Sequence, residues 1–275
     1  MPKIIGIIGF GNMGQAIAEQ LKTNYKIIIF DKDKSKLSAV KGTFPASDLD
    51  SLIKNSDTII LAVKPQQLAE VLAEIKNCGH ELDKLIISIA AGINTRYIED
   101  YFGVVRVVRV MPNMPAKVGS AMTCLSKGRF ASEEDFDLAE ELFGYLGETL
   151  EIKEEMMNAA TAISGSGPGY LYYLIEGKSL DEAEKFGINT FLPLLRDAAR
   201  REGFSADEAS LMASVTTSGS LKVLAVTKLS PAQLKQQVTS KNGTTEAGLD
   251  VLQNGGTLTE AIKAAKKRAE ELEKG

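Results

Sequence analysis

The chain has 275 residues, of which 44% are apolar and 25% charged, the balance of an ordinary globular protein with a buried core. Its 32 lysines and arginines against 36 aspartates and glutamates give a net charge of −4, which argues against a nucleic-acid-binding surface. Two cysteines and one histidine argue against a disulfide scaffold, a histidine-based triad and a metal site. The longest apolar runs have strand length and no signal-peptide region precedes them, so we expect a cytoplasmic protein without membrane contact.

The first half of the sequence alternates short β-branched runs with segments of helical spacing. The predicted strands are Lys3–Gly9, Lys26–Asp31, Thr58–Val63, Leu85–Ile89 and Arg106–Met111, with Val118–Leu125 and Thr149–Ile152 as edge strands. The predicted helices are Met13–Thr23, Asp48–Asn55, Gln66–Asn77, Thr95–Phe102 and Ser132–Leu146. Near-continuous apolar strands that alternate with helices predict an α/β fold with a Rossmann-like, doubly wound parallel sheet.

From about Met156 the strand pattern disappears and helical patterns follow. They cover Met156–Ile163, Tyr170–Glu184, Thr190–Glu202, Ala206–Thr227, Pro231–Val238, Thr244–Gln253 and Thr257–Glu273. Ser205 and Thr257 each precede a glutamate by three positions, which predicts capping boxes, and Gly255–Gly256 is a stop signal. The chain is therefore predicted to contain an N-terminal domain, 1–160, and an all-helical C-terminal domain, 161–275.

A glycine-rich motif, Gly9–Gly14, ends the first predicted strand and opens the first helix. Its G-x-G-x-x-G spacing is typical of a turn that brings the pyrophosphate of a dinucleotide to a helix start. Asp31 ends the second strand, where an acid that binds the ribose hydroxyls is expected. Asp31 favours NADH, whereas the lysines that follow, beginning with Lys32, are able to neutralise the 2′-phosphate of NADPH. Both cofactors therefore remain open.

Further strand ends carry small residues, prolines or amides, as expected where ligands meet the carboxyl ends of parallel strands. Each is also compatible with an ordinary strand-to-loop turn. The predicted cofactor-binding residues are Gly9, Phe10, Gly11, Asn12, Met13, Gly14, Asp31, Lys32, Ala62, Val63, Lys64, Pro65, Ala90, Ala91, Gly92, Met111, Pro112 and Asn113.

The helical half contains two polar, glycine-rich segments, Ser164–Pro168 and Thr239–Thr245. Backbone amides at the start of the helix Thr244–Gln253, together with the hydroxyls of Ser240, Thr244 and Thr245, form a suitable receptor for a small carboxylate. A plain helix cap with additional threonines is the alternative interpretation.

Taken together, these segments resemble the pyrroline-5-carboxylate reductase family over nearly the whole chain. The resemblance is carried by residues 9–14, 62–66, 88–93, 109–113, 164–168 and 233–249, in order. It implies reduction of 1-pyrroline-5-carboxylate to L-proline with NADPH or NADH, the last step of proline synthesis, by a homodimer or a ring of dimers. It also implies that Thr245 hydrogen-bonds the ring nitrogen of the substrate, and that amides around Ser240, Gly243 and Thr244 hold its carboxylate.

The sequence departs from the family pattern in two places. Lys241 and Asn242 stand where the family has Pro and Gly, and asparagine tolerates the left-handed backbone that such a loop needs. The stretch Gly177–Thr190 is additional length relative to the family and affects the expected dimer packing.

Four alternatives remain on the sequence alone. A β-hydroxyacid dehydrogenase, a related imine reductase or a deazaflavin-dependent NADP reductase shares the N-terminal pattern, but the Thr239–Thr245 loop has no role in the first of these. A non-catalytic dinucleotide sensor is a different class, and such a protein does not need a carboxylate receptor.

Overall fold

The computed structural model describes residues 3–80 and 82–274, which form two compact units. The first unit comprises the chain up to Val110 together with 125–146 and 151–154. The second comprises 111–124, 147–150 and the chain from Glu155 onward. The predicted domain limits, 1–160 and 161–275, stay a prediction.

Six parallel strands confirm the predicted Rossmann-like sheet. Among the described residues the sheet has eight strands, β1 (Ile4–Ile8), β2 (Lys26–Phe30), β3 (Phe44–Pro45), β4 (Thr58–Leu61), β5 (Leu85–Ser88), β6 (Arg106–Met111), β7 (Ala121–Lys127) and β8 (Gly147–Glu151), of which β1 to β6 are the six parallel ones. Their order is β3-β2-β1-β4-β5-β6-β7-β8, and every pair from β3 to β6 is parallel. The order reverses at β1, and ligands of doubly wound sheets bind at this switch point.

Five helices belong to the first unit. They are α1 (Asn12–Leu21), α2 (Leu49–Asn55), α3 (Pro65–Asn77), α4 (Thr95–Phe102) and α5 (Glu133–Gly144). Side-chain oxygens of Asp48, Asn94 and Ser132 accept backbone N–H groups at the starts of α2, α4 and α5. Strand β3 and a 3₁₀ turn at Lys34–Ser38 were not predicted, because both are too short to carry a periodic pattern.

The core of the first unit consists mainly of β-branched side chains from the central strands. Ile5 and Ile7 of β1, Ile27 and Ile29 of β2, and Ile60 of β4 are completely shielded from solvent. These strands are covered on both faces, which explains why their sequences are continuously apolar instead of alternating.

Eight helices follow in the second unit, interrupted by two π-helical turns at Thr161–Gly165 and Gly187–Phe191. The helices are α6 (Met157–Ala160), α7 (Gly167–Leu174), α8 (Leu180–Phe186), α9 (Leu192–Arg201), α10 (Ala206–Thr227), α11 (Pro231–Val238), α12 (Thr244–Gln253) and α13 (Leu258–Lys274). The capping boxes predicted at Ser205 and Thr257 are confirmed. Gly255 has a φ of 81° and ends α12 as predicted.

The predicted helix Tyr170–Glu184 is wrong. Helix α7 ends at Leu174, and a new helix starts after Ser179. Gly177 has a φ of 78°, which a continuing α-helix does not permit. Ser179 and Glu182 then form a capping box that fixes the start of α8.

Helix α10 is, among the described residues, the one helix whose length and apolar composition suffice to cross a membrane. Serines, threonines and a lysine interrupt its apolar residues, so its continuous apolar runs stay short, as expected from the sequence. Half of its most apolar window is buried within the protein, a property shared by core helices of globular proteins.

A buried ion pair connects distant parts of the first unit. Arg109 of β6 is 1% exposed, and its Nη1 lies 3.2 Å from Oε1 of Glu154. Glu154 also accepts hydrogen bonds from the backbone N–H of Thr95, at 3.0 Å, and from its hydroxyl, at 2.6 Å. The Glu154 carboxylate therefore links the start of α4 to the strand β6.

Replacing Glu154 by alanine is expected to lower the free energy of unfolding by about 2–4 kcal/mol, because it leaves a buried guanidinium without this carboxylate. Urea unfolding measures the loss. Glu154→Gln retains an acceptor for Thr95 and is expected to lose less. Glu133→Ala, which removes an exposed partner of Lys127, serves as the control and is expected to cost less than about 1 kcal/mol. Equal losses for the two alanine variants contradict the prediction.

Candidate functional site

The carboxyl ends of three neighbouring strands lie level with one another. The sheet register pairs Ile8 with Phe30 and with Leu61. The N–H of Gly9 donates to the carbonyl of Phe30 at 2.8 Å, and the N–H of Ala62 donates to the carbonyl of Ile8 at 2.8 Å. The first residues after β1, β2 and β4 therefore meet at one edge of the sheet.

The glycine-rich turn leaves no room for side chains at two positions. Gly9 has a φ of 95°, and a Cβ on it would lie 2.7 Å from the carbonyl carbon of Ala62. A Cβ on Gly14 would lie 2.2 Å from the carbonyl oxygen of Gly9. At Gly11, by contrast, a Cβ would meet nothing within 4 Å. The turn is thus closely packed on its inner side and open above Gly11.

Helix α1 begins at this open space without a side-chain cap. Gly11 is its N-cap residue in extended conformation, and no side chain accepts the first-turn N–H groups. We call a helix that begins this way, from extended backbone and without a side-chain cap, an open helix start. Its amides and the helix dipole attract an anion, and the residues present therefore fit the pyrophosphate of a dinucleotide.

Asp31 faces the glycine turn. Its Oδ2 accepts the N–H of Phe10 at 2.7 Å, and its Oδ1 accepts the N–H of Asp33 at 2.8 Å and the ammonium of Lys36 at 3.2 Å. A carboxylate has about four acceptor positions, so one remains for a ribose hydroxyl.

A groove in the first unit brings seven of the predicted cofactor residues together. It is lined by Ile8, Gly9, Gly11, Phe30, Asp31, Lys32, Lys36, Ala62, Val63, Lys64, Gln67, Glu70 and Val71. Helix α3 has an open start here, because Lys64 is extended, Pro65 is the first helical residue and no side chain caps it. Gln67 and Glu70 were not predicted. Their spacing of three on a helix that begins at the strand edge was the available signal.

The remaining predicted residues of the first unit do not line this groove. Phe10 is completely buried and Asn12 is exposed, while Met13 lies on the first turn of α1 and Gly14 supports the turn from behind. Ala90, Ala91 and Gly92 follow β5, the neighbour of β4. Their contacts with a cofactor stay predictions.

Met111, Pro112 and Asn113 belong to the second unit at or after the end of β6. Asn113 is 2% exposed. Its amide nitrogen donates to the carbonyl of Ser164 at 3.1 Å, and its oxygen accepts the N–H of Met122 at 3.0 Å. Asn113 therefore joins two segments of the second unit, and its predicted role towards a carboxamide stays a prediction.

The loop before α12 has the shape predicted from its asparagine. Asn242 adopts a left-handed conformation with a φ of 57°. The guanidinium of Arg268 donates to the carbonyl of Asn242 at 2.8 Å, and the carboxylate of Glu246 accepts its N–H. Gly243 is the extended N-cap of α12 and no side chain caps it, so α12 also has an open start.

Three hydroxyl groups meet at this open start. Thr245 Oγ1 donates to Ser166 Oγ at 3.1 Å, and Ser166 Oγ lies 3.1 Å from Thr244 Oγ1. Ser166 is fully buried and Thr245 is 5% exposed. We call these three side chains the hydroxyl cluster. Ser240 was predicted beside it and lies three positions before Gly243, whose N–H donates to the Ser240 carbonyl at 3.0 Å.

Local backbone geometry places Ser166 in the cluster. The π-helical turn Thr161–Gly165 precedes it, and the N–H of Ser166 donates to the carbonyl of Thr161 at 2.9 Å. Such turns are rare and often occur at functional sites. The segment Ser164–Pro168 was predicted from the sequence but the contacts of Ser166 were not, since a π-helical turn leaves no periodic pattern in the sequence.

Close packing fixes the orientation of Thr245. A Cβ on Gly169 would lie 2.6 Å from the Thr245 methyl group, so the methyl rests against the backbone of α7. The Tyr170 hydroxyl lies against Gly248 in the same way. Burial raises the pKa of Tyr170, which therefore stays protonated at neutral pH.

Replacing Gly11 by alanine is expected to weaken dinucleotide binding about tenfold or more, the equivalent of at least about 1.4 kcal/mol, because the new methyl group projects into the open space above the turn. The fold is expected to survive, since the backbone at Gly11 suits alanine. Gly144→Ala is the matched control, because a Cβ there also meets nothing. Titration of NADH fluorescence measures dinucleotide binding, and thermal melting measures the stability of the fold. Unchanged binding by Gly11→Ala contradicts this placement of the pyrophosphate.

Comparisons with known proteins bear on both units. Residues 154–272 match a family model described as pyrroline-5-carboxylate reductase dimerisation. Residues 4–92 match one described as NADP oxidoreductase, coenzyme F420-dependent, which agrees with the shared N-terminal pattern of that alternative.

Similar proteins cover the chain almost completely. A pyrroline-5-carboxylate reductase from Pisum sativum is 34% identical over 98% of this chain and 95% of its own. The structure of a pyrroline-5-carboxylate reductase from Coxiella burnetii is 31% identical, covers 100% of both chains and has a TM-score of 0.66. That of a pyrroline carboxylate reductase from Plasmodium falciparum with NADP bound is 28% identical over 98% of both, with a TM-score of 0.64. On sequence identity over its full length, the chain belongs to the pyrroline-5-carboxylate reductase family.

Proposed function

We propose that this protein reduces the C=N bond of 1-pyrroline-5-carboxylate to give L-proline, with NADPH or NADH as the reductant, as the last step of proline synthesis. The observation that carries the proposal is the hydroxyl cluster at the open start of α12. This arrangement offers hydrogen-bond partners to a small anionic molecule in a chain that also has a dinucleotide groove. A protein that only senses dinucleotides has no use for it.

The open start of α12 suits the substrate carboxylate. Its first-turn N–H groups have no side-chain acceptor, and the helix dipole adds a partial positive charge. The side chain of Lys241 next to this turn adds a further cation. We assign carboxylate binding to the amides around Ser240, Gly243 and Thr244.

Thr245 suits the ring nitrogen. Its hydroxyl proton is directed to Ser166, so the oxygen keeps lone pairs for the N–H of a protonated imine. Ser166 thus sets the direction of the hydrogen bond, and the methyl contact with α7 holds the oxygen in place. We assign Thr245 as the catalytic residue and Ser166 as a positioning residue.

The nicotinamide cofactor, when bound, supplies the hydride for the imine carbon. No strong base has to be generated, because a protonated imine accepts hydride directly. The chain contributes mainly by holding and orienting its two ligands, an effect worth up to about 7–11 kcal/mol in favourable cases.

Loss of nicotinamide absorbance when pyrroline-5-carboxylate is added to the purified protein and NADPH or NADH tests the proposal. Turnover is the expected result. Cofactor binding without turnover in the purified oligomer contradicts the proposal and favours the dinucleotide sensor.

Thr245→Val retains the shape of the side chain and removes only the hydroxyl. Because a hydrogen bond to a charged group contributes about 1.5–3 kcal/mol, kcat/KM is expected to fall about tenfold to a hundredfold. Cofactor affinity, measured by fluorescence titration, is expected to stay constant. Thr244→Val is the matched control with the smaller effect, since its backbone amide survives. Full activity of Thr245→Val together with an inactive Thr244→Val contradicts the assignment.

The dimerisation match indicates a homo-oligomer, and we propose a homodimer or a ring of dimers. Supporting this, an apolar groove lies between the segment 180–192 and helix α10, lined by Leu180, Ile188, Leu192, Val215, Leu221 and Ala225. Leu180 and Ile188 are each 51% exposed, so the groove places two exposed large apolar side chains next to each other. The groove lies within the matched region 154–272 and includes residues of Gly177–Thr190, the stretch predicted from the sequence to be additional to the family. We propose a second copy of the chain as its occupant.

The double variant Leu180→Asp and Ile188→Asp is expected to shift the protein from its oligomer towards monomer, because each carboxylate must lose its hydration on association. Light scattering at micromolar concentration measures the shift. Val104→Asp, at an 82% exposed site of the other unit, is the control and is expected to leave the mass unchanged. An unchanged mass of the double variant contradicts the proposal and means that another face joins the copies.

We further propose a cytoplasmic location, without a membrane or nucleic acid as partner. The net charge of −4 supports the absence of a nucleic-acid surface.

A further inference from the structure

Two lysines that follow β2 are held by carboxylates at the edge of the dinucleotide groove. Lys32 Nζ lies 2.8 Å from Glu70 Oε1 and 2.8 Å from Glu74 Oε1, both on α3. Lys36 Nζ lies 3.2 Å from Asp31 Oδ1 and 3.7 Å from Asp33 Oδ2. Each ammonium therefore has two carboxylate partners.

This cluster of four carboxylates and two ammoniums has a net charge of −2 where the ribose of the cofactor is expected. A 2′-phosphate adds about −1.5 to −2 at neutral pH. The two cations suited to neutralise it are already paired, and the glutamates raise the pKa of Lys32, as expected for an ammonium inside such pairs. Binding of the phosphate must therefore break ion pairs or accept like-charge repulsion.

We infer that this groove selects NADH over NADPH, and that Glu70 and Glu74 contribute to the selection by holding Lys32. The inference rests on the proposed function, since it narrows the choice of its cofactor. Asp31 contributes directly, because its carboxylate faces the groove beside the ribose position.

The other nearby lysines do not replace the paired ones. Lys34 is not among the residues that line the groove. Lys64 lines it but follows β4, on the opposite side of β1 from β2, the strand that Asp31 follows. Lys64 thus lies towards the pyrophosphate, which both cofactors share, and is expected to support both equally.

Direct binding of the reduced cofactors, followed by nicotinamide fluorescence at fixed ionic strength without substrate, tests the inference. We expect the unmodified protein to bind NADH about tenfold more tightly than NADPH. The double variant Glu70→Gln and Glu74→Gln releases Lys32 and is expected to tighten NADPH binding about threefold to tenfold, with NADH changed less than about twofold. Adding Lys32→Gln to this variant is expected to abolish the gain. Added salt is expected to reduce it, because exposed charges are screened.

Glu19→Gln is the matched control, because Glu19 is an exposed carboxylate of the same unit that pairs with Lys22 away from the groove. It is expected to change neither affinity. Equal or tighter binding of NADPH by the unmodified protein overturns the inference, as does a gain that persists without Lys32 or that is the same for both cofactors. None of these results depends on turnover, so they are separable from a failure of the proposed reaction.

Discussion

The close approach of α1, β1 and β4 at the glycine turn is the constraint on which the cofactor half of the structure depends. A single carbon atom added at Gly9 or Gly14 would collide with backbone, at 2.7 Å and 2.2 Å. Because only hydrogen fits at these two positions, the first backbone amides of α1 lie close to the strand edge. The Asp31 carboxylate lies at the same edge, since it accepts the N–H of Phe10. The sheet register places the carboxyl ends of β1, β2 and β4 level, so the residues that follow these strands lie beside the glycine turn.

The second unit also contains uncapped backbone amides at a helix start, but their surroundings differ. The ligand position that we propose there lies at a helix start and not at a sheet edge, and it is surrounded by hydroxyl groups. The shape depends on an irregular turn before Ser166 and on a left-handed asparagine that Arg268 holds. Asn242 therefore adopts the left-handed conformation that the sequence predicts for it, although it brings a Cβ to that position.

Much of this arrangement could be predicted from the sequence, because strand and helix periods, capping residues and the glycine motif are local signals. The strands of the sheet except the two-residue β3, the caps at Ser205 and Thr257, and the left-handed Asn242 follow from such signals. The break after Leu174 was missed because apolar spacing continues across it, while one glycine and one cap decide the geometry. The contacts of Lys32 with α3 and of Ser166 with α12 join residues far apart in sequence, and no local pattern encodes them.

The three open helix starts distinguish the proposed ligand positions from the rest of the fold. Among the described residues, seven helices receive a side-chain cap, at Asp48, Asn94, Ser132, Ser179, Ser205, Ser230 and Thr257. Helices α1, α3 and α12 do not. A serine or aspartate at position 11 or 243 would satisfy the same amides that a phosphate or carboxylate needs. The side chain of such a residue would compete with the ligand for these N–H groups. Without it, the helix start is less stable, but its backbone donors stay available to a ligand.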